Sequence, residues 1–183
     1  MMKRRRLLVL AIVTAATLIV AAELVVAHPR TSPAYAYRIE VSGLVENKLV
    51  LSLDQLRSKP NETVTAELIC VSGHSYGTHT WTGVRLSSLL KEAGAQSGAV
   101  KIAFNATDDY STDLTMQDAM RDDVMVAFLE DGFPFRERTR LVVPGEYGYK
   151  WITNIVSIQA LDFDYKGTYE SGGYADDASI ENG

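Results

Sequence analysis

Short segments of alternating apolar and polar residues recur along this chain, and only brief helical patterns separate them. Alternation indicates a half-buried β-strand, because successive side chains of a strand point to opposite faces. The segments that predict strands, by alternation or by a short apolar run, are 37–45, 48–53, 63–70, 99–105, 124–129, 141–143 and 151–163. Many short strands with short helices between them favour a strand-rich α+β fold over a doubly wound parallel sheet.

Helix signals are confined to three short segments. Residues 52–55 read S-L-D-Q, the spacing of a capping box, which predicts one or two helical turns. Leu86–Ala93 predicts a longer helix, and Gly94 is the residue type that ends helices in the left-handed conformation. The threonine of segment 115–118 can cap a third, short helix.

The connections between these elements carry turn residues. Glu46-Asn47 and Asp131-Gly132 predict tight turns between strands. Ser72–Thr80 is expected to be a glycine-bearing loop. From Gly167 the chain is polar and glycine-rich, and we expect it to dock loosely or fray.

Alternation also predicts which side chains share a face. In 63–70 that face holds Val64, Ala66, Leu68 and Cys70, and in 99–105 the inward residues are Val100, Ile102 and Phe104. Cys70 is therefore predicted to be the last residue of a strand, directly before a loop.

Residues 1–27 are predicted to lie outside the folded domain. Lys3–Arg6 are basic, and an apolar run from Leu7 to about Ala27 is about long enough to cross a hydrocarbon core. The basic cluster favours the cytoplasmic side, so everything after Ala27 is expected on the outer side of a membrane. Small residues at 25–27 also suit a signal peptidase. A cleaved signal and a retained anchor both stay open, and the length of the run favours the anchor.

The rest of the chain reads as one domain. Residues 28–36 contain two prolines and predict a tether, 37–174 the domain, and 175–183 a polar tail. Removing 1–27, with four basic residues and one acidic residue, changes the net charge from −5 to −8. Such an acidic domain argues against nucleic acid and anionic lipid as partners. Asn61 and Asn105 begin sequons, for which glycosylation and chance occurrence both stay open.

Cys70 is the only cysteine, so the domain has no internal disulfide. A lone cysteine is a buried bystander, an intermolecular link or a functional thiol, and residue type alone favours the bystander. Three chemical interpretations compete: a zinc or copper site from Cys70, His74 and His79; a Cys–His nucleophile pair; and a single thiolate on a heavy metal whose other ligands come from a cofactor. The third needs one protein ligand at a pocket mouth, which a strand end before a glycine loop provides.

A second informative region is 140–153, R-L-V-V-P-G-E-Y-G-Y-K-W-I-T. Gly145 and Gly148 let backbone approach a ligand, and Lys150 beside them can pair with a phosphate. The alternative is a tight turn with a solvated lysine, which the spacing alone favours.

The order of five motifs resembles one family. A strand ends in cysteine; W-T-G-V-R-L-S-S-L-L-K-E-A-G follows at 81–94 and D-D-Y-S-T-D-L at 108–114; then come D-G-x-P at 131–134 and the segment 140–150. Together they resemble the molybdopterin-binding domain of sulfite oxidase and of the periplasmic methionine-sulfoxide reductase catalytic subunit. The resemblance runs from about residue 37 to 174.

The resemblance implies a fold, a cofactor and site residues. Cys70 would ligate molybdenum beside the pterin dithiolene. Lys150, and less strongly Arg140, would lie near the phosphate end of the cofactor, with Gly145 and Gly148 in the same loop. The loop 71–80 would form a wall of the pocket, and His74 or Tyr76 would face substrate.

The activity that the resemblance implies is oxygen-atom transfer on a small substrate. It also implies that the protein exchanges electrons with a haem-containing or quinone-linked membrane partner. This chain departs from the family pattern in three ways: a short stretch before the first strand, Thr153 where many relatives have a second basic residue, and no C-terminal dimerisation domain. The alternative is a non-catalytic extracytoplasmic binding module that keeps the fold but has lost, or only loosely binds, the cofactor.

Overall fold

The computed structural model describes residues 37–134 and 136–180. The predicted signal or anchor and the tether, residues 1–36, lie outside the described residues, as does the end of the predicted polar tail at 181–183. Across the two described ranges, no helix has the length and hydrophobicity needed to cross a bilayer.

Nine strands form two sheets in the described part of the chain. The strands are β1 (Arg38–Gly43), β2 (Leu49–Ser52), β3 (Glu62–Ile69), β4 (Ser75–Arg85), β5 (Lys101–Ala106), β6 (Ser111–Thr115), β7 (Met125–Glu130), β8 (Arg140–Val142) and β9 (Ile155–Leu161). One sheet has the order β2-β1-β9-β5-β6 and the other β3-β4-β7-β8. Every pairing is antiparallel except that of β1 with β9.

The helices are short, as the sequence predicts. They are α1 (Leu53–Arg57), α2 (Leu86–Ala93), α3 (Met116–Ala119) and α4 (Thr168–Ser171), with one 3-10 turn at Gly148–Lys150. The capping box at Ser52 and Gln55 is present, and Thr115 caps α3 through the Asp118 amide. Gly94 ends α2 at φ 69°, in the left-handed conformation. The strand-rich α+β prediction is therefore confirmed.

The apolar core is continuous between the sheets and helices. Its largest members, Trp81 of β4 and Trp151 after the 3-10 turn, meet edge to face with ring centroids 5.5 Å apart. The indole of Trp81 donates to the Ala66 carbonyl, and that of Trp151 to the Glu146 carbonyl. These paired rings join β4 to the segment after β8, so both elements are fixed where the site lies.

The predicted loop at 72–80 is confirmed for residues 72–74 and wrong for 75–80, because β4 begins at Ser75 and pairs with β3 from there onwards. Its polar, glycine-containing sequence predicts a loop. It forms a strand because β3 supplies hydrogen-bond partners and because this end of the hairpin is largely exposed, so apolar side chains are not required. Cys70 correspondingly follows β3, which ends at Ile69, and is not its last residue.

Other corrections concern burial. Strand β6 was not predicted, because S-T-D-L-T lacks apolar alternation; Thr112 and Asp113 are nevertheless fully buried. Val100 is 51% exposed rather than inward. The last strand begins at Ile155, not at 151.

The segment from Gly167 does not fray over its described part. It forms α4, and its later residues hydrogen-bond to the 145–147 backbone: the Tyr147 amide donates to the Ala178 carbonyl at 2.9 Å, and the Ile180 amide to the Gly145 carbonyl at 3.0 Å. Buried polar contacts, which hydrophobic periodicity cannot reveal, hold it there.

Candidate functional site

A cavity of about 640 Å³ opens beside the end of β3. Residues of the four-stranded sheet, the β3–β4 and β5–β6 connections, the segment after β8 with its 3-10 turn, and α4 contribute to it. Its wall consists of Leu68, Cys70, Val71, Tyr76, His79, Asp108, Tyr110, Glu130, Arg140, Gly148, Tyr149, Trp151, Ile152, Thr153 and Tyr169. The volume lies within the range of about 300–1,000 Å³ that is typical of small-molecule and cofactor sites.

Cys70 faces this cavity from a tight turn. The Cys70 amide donates to the His74 carbonyl at 2.8 Å, and the Gly73 amide donates back to the Cys70 carbonyl at 2.8 Å. The residue is only partly buried. Hydrogen bonds from the Ser72 side chain and backbone lower the pKa of the Cys70 thiol. The interpretation of Cys70 as a thiol sealed in the core is therefore wrong.

Arg140 lies on the same wall, at the start of β8. Its guanidinium stacks over the Trp81 ring at 5.6 Å from the centroid. Burial lowers its pKa, against the opposing effect of Glu130 and Glu137. Among the described residues, no carboxylate lies within salt-bridge distance of Arg140, so this cation is free to bind an anionic group of a ligand.

The glycine segment divides between the cavity and the surface. Gly148 lines the cavity, and a Cβ there would lie 3.2 Å from a Leu68 methyl and 3.3 Å from the Ile69 carbonyl oxygen, so its backbone packs closely on the end of β3. Gly145 is not part of the cavity wall and adopts φ 83° in the turn after β8.

Lys150 is fully buried and does not line the cavity. Its ammonium pairs with the Glu170 carboxylate at 2.6 Å and donates to the Asp113 carbonyl at 2.9 Å. The solvated lysine that spacing favoured is therefore wrong. Its assignment to the cofactor phosphate stays a prediction, and in this structure the nearest anion to Lys150 is Glu170 of α4, with the Asp113 carboxylate 3.5 Å away.

The two candidate substrate residues differ in position. Tyr76 lines the cavity at its mouth and is 60% exposed. His74 is exposed, is not part of the wall, and contacts the Tyr76 ring edge-on at 5.0 Å. Within residues 37–134 and 136–180, no three His, Cys, Asp or Glu side chains are arranged to hold a metal ion, so Cys70, His74 and His79 do not form a zinc-type site.

Sequence reasoning missed much of the aromatic wall. The Tyr110 hydroxyl donates a hydrogen bond to the Tyr149 carbonyl. Burial raises the pKa of both phenols. Tyr169 of α4 stacks on Tyr149 with centroids 5.5 Å apart. Asp108 completes this side. The D-D-Y-S-T-D-L motif was a signal for Asp108 and Tyr110, whereas no sequence signal indicated Tyr169.

The chain matches the family model of the oxidoreductase molybdopterin binding domain over residues 25–169, and it belongs to this family. It is 34% identical over 152 residues to a putative protein-methionine-sulfoxide reductase subunit, YedZ1, of Azospira oryzae, covering 79% of this chain and 56% of that protein. It is 29% identical over 158 residues to mitochondrial sulfite oxidase of Drosophila melanogaster, covering 66% of this chain and 27% of that protein.

A solved structure shares the fold. The sulfane dehydrogenase SoxCD of Paracoccus pantotrophus matches with a TM-score of 0.64 and 29% identity, over 69% of this chain and 38% of the SoxCD chain. The chain thus spans about half, or less, of the length of these relatives. The predicted sulfite-oxidase-type fold is confirmed, and molybdenum–molybdopterin is the cofactor that this family defines.

The wall residues fit such a cofactor. A thiolate is a soft donor, suited to a metal that also binds sulfur. The Cys70 thiol is open to the cavity, its pKa is lowered, and Arg140 places on the same wall a cation that has no carboxylate partner in the described part of the chain.

Proposed function

We propose that this chain is an extracytoplasmic molybdenum–molybdopterin oxidoreductase that transfers an oxygen atom to or from a small substrate. The observation that supports it most strongly is the Cys70 thiol, which opens into a cavity of cofactor size. When bound, molybdenum would supply two-electron oxygen-atom transfer. The chain's own residues would hold the cofactor, admit the substrate and shape its surroundings.

Cys70 has the role of metal ligand in this proposal. Ser72 stabilises the thiolate by hydrogen bonding, which favours the charged form that binds metals. The turn closed by the His74 carbonyl and the Gly73 amide fixes the Cys70 backbone. A rigid turn keeps the sulfur at one position in the wall, which is the requirement for a single protein ligand.

Arg140 and Lys150 have the role of cofactor-binding cations, with Gly145 and Gly148 in the same segment. Arg140 can contact an anion directly, because it faces the cavity without a carboxylate partner. Lys150 can do so only if Glu170 releases it, because their ion pair is buried. Arg140 is therefore the stronger anion ligand of the two.

Substrate enters beside Tyr76 in this proposal, because Tyr76 is the most exposed aromatic side chain of the wall. Reduction of an oxidised substrate consumes two electrons and two protons and releases water, and the reverse reaction returns them. A membrane haem or quinone-linked protein is the proposed electron partner. The basic and apolar segment at 1–27 supports an outer location, and the YedZ1 resemblance supports a methionine-sulfoxide-type substrate.

The test is metal content in a host that makes the molybdenum cofactor. We expect the full-length chain to carry about one molybdenum per protein, and Cys70→Ser to lose it while keeping its circular dichroism spectrum. Alkylation provides a control, because Cys70 is the only cysteine. Iodoacetamide should label the metal-free chain and spare the loaded one. A chain that contains no molybdenum in either form would instead support the non-catalytic binding module.

A further inference from the structure

The side chain of His79 is held at both ring nitrogens. Its Nδ1 lies 2.8 Å from Oδ2 of Asp131, in the turn after β7. Its Nε2 lies 3.2 Å from the Tyr76 carbonyl oxygen, at the exposed end of the β3–β4 hairpin. One ring therefore contacts both the outer end of β4 and the turn after β7 at the cavity wall, to which His79 itself contributes.

Both partners of His79 are hydrogen-bond acceptors. A carbonyl oxygen cannot donate, and the Asp131 carboxylate is ionised because its hydrogen bonds to His79 and Thr80 lower its pKa to about 2. A neutral imidazole carries one N–H, so it can satisfy only one of the two acceptors. Only the imidazolium can donate to both acceptors, and the same two partners raise the pKa of His79.

The other charges near His79 are few. Glu130 places a carboxylate oxygen 3.5 Å from Nδ1, on the same side as Asp131. Trp81 contacts the His79 ring at 5.7 Å, and the Arg140 guanidinium stacks on that indole at 5.6 Å. On the β3 side, the residue opposite His79 is the uncharged Ala66. Two carboxylates thus act directly on His79, whereas the one cation lies beyond the indole.

We propose that His79, in its imidazolium form, is a positioning residue that fixes the Tyr76 side of the cavity mouth to the Asp131 turn. Loss of the proton removes one of its two N–H groups, and the carboxylate retains the other because it is the stronger acceptor. The Tyr76 carbonyl then loses its donor, and the exposed Tyr76 ring is no longer held at the mouth. We call the contacts of His79 with Tyr76 and Asp131 the clamp. The effect of the clamp on substrate rests on the proposed function, but the clamp itself does not.

The clamp can be tested in the full-length chain without cofactor by NMR. The His79 ring should titrate above the ordinary histidine pKa of about 6.5. The Tyr76 carbonyl carbon and the Gly77 amide nitrogen, which share one peptide group, should shift with the same midpoint. In Asp131→Asn the His79 midpoint should fall, because the carboxylate that favours the imidazolium is lost. In His79→Gln the Tyr76 and Gly77 signals should not change across this pH range.

Ser97→Ala, at an exposed turn residue, is the control variant, and the His79 midpoint should not move in it. The clamp would be contradicted if the Tyr76 and Gly77 chemical shifts did not change as His79 titrates. It would also be contradicted if Asp131→Asn left the His79 midpoint unchanged.

The effect on substrate is measured in the molybdenum-loaded enzyme. KM should rise several-fold as the pH increases through the His79 midpoint, with a smaller change in kcat, and His79→Gln should have the high KM at every pH. If loading fails while the NMR titrations behave as expected, the proposed function is wrong and the clamp stands. A wild-type KM that does not change with pH would contradict the proposal that His79 positions the cavity mouth for substrate.

Discussion

At the scale of single residues, burial decides what a charge does. Lys150 and Glu170 form an ion pair in which both side chains are fully buried, and Glu170 also accepts from the Thr112 hydroxyl at 2.8 Å. Removing one member of a buried pair leaves the other charge poorly compensated, and for Lys150 only the Asp113 carboxylate, 3.5 Å away, would remain. The Glu40–Lys48 pair, by contrast, is 2.7 Å long but largely exposed to solvent.

Glu170→Gln should therefore lower the free energy of unfolding by about 3 kcal/mol. Lys48→Gln, the control at an exposed pair, should change it by less than about 1 kcal/mol. Urea denaturation measures both. An equal effect of the two substitutions would contradict the structural role of the Lys150–Glu170 pair.

The reactivity of Cys70 should depend on Ser72. Hydrogen bonds from Ser72 lower the thiol pKa, so Ser72→Ala should raise it. The pH at which iodoacetamide alkylation reaches half its maximal rate should move upward in this variant. Ser97→Ala, remote in sequence and on an exposed turn, should leave the midpoint unchanged. A midpoint that stays the same in Ser72→Ala would show that other groups control the thiolate.

At the scale of elements, strand β4 connects the site to the core. It pairs with β3 from Ser75 to Gly83. Its outer half carries Tyr76 and His79, and its inner half, which carries Trp81, also pairs with β7. The register with β7 shifts between Thr82 and Gly83. Such a bulge changes the direction of a strand, so it helps set how the hairpin projects at the cavity.

Gly83→Ala should be strongly destabilising. A Cβ at Gly83 would lie 2.3 Å from the Val126 carbonyl oxygen and 2.5 Å from the Ala127 Cα, both in the backbone of β7. Because backbone atoms cannot rotate away, the expected cost is about 2–3 kcal/mol or more. Thermal unfolding of Gly98→Ala is the control, since a Cβ at Gly98 meets no atom within 4 Å. Similar unfolding temperatures for the two variants would refute the close approach.

At the scale of the whole molecule, acidic groups limit stability at high pH. Glu146 is buried, and this burial, with Asp118 nearby, raises the pKa of Glu146 to about 8. The folded chain thus holds a proton that the unfolded chain, at its ordinary pKa of 4.5, has released. Stability falls with rising pH wherever the folded state binds more protons. The contribution of Glu146 therefore becomes increasingly unfavourable from about pH 5 to pH 8.

Glu146→Gln should remove this dependence. Relative to the wild type, the variant should gain stability steadily between pH 5 and pH 8, by on the order of 1 kcal/mol for each pH unit. Urea unfolding at four pH values within this window measures the difference. A difference that is constant with pH would mean that Glu146 is ionised in the folded chain throughout.

Much of the fold and part of the site could be predicted from the sequence, because their signals are local. Alternation and short apolar runs located seven strands approximately, and the caps at Ser52, Thr115 and Gly94 located three helices. The ordered motifs identified the family and selected Cys70 and Arg140, both of which the structure brings to one cavity. These features depend on the neighbours of each residue along the chain.

Only the tertiary structure decided the rest, because the free energy of a charge or a polar strand depends on what packs against it. Lys150 is internal because α4 supplies Glu170, and β6 is buried because its polar residues find polar partners. Segment 75–80 is a strand because β3 lies alongside it, and His79 joins Tyr76 to Asp131 across two hairpins. Sequence determined which residues carry the chemistry, and long-range contacts determined which of them meet.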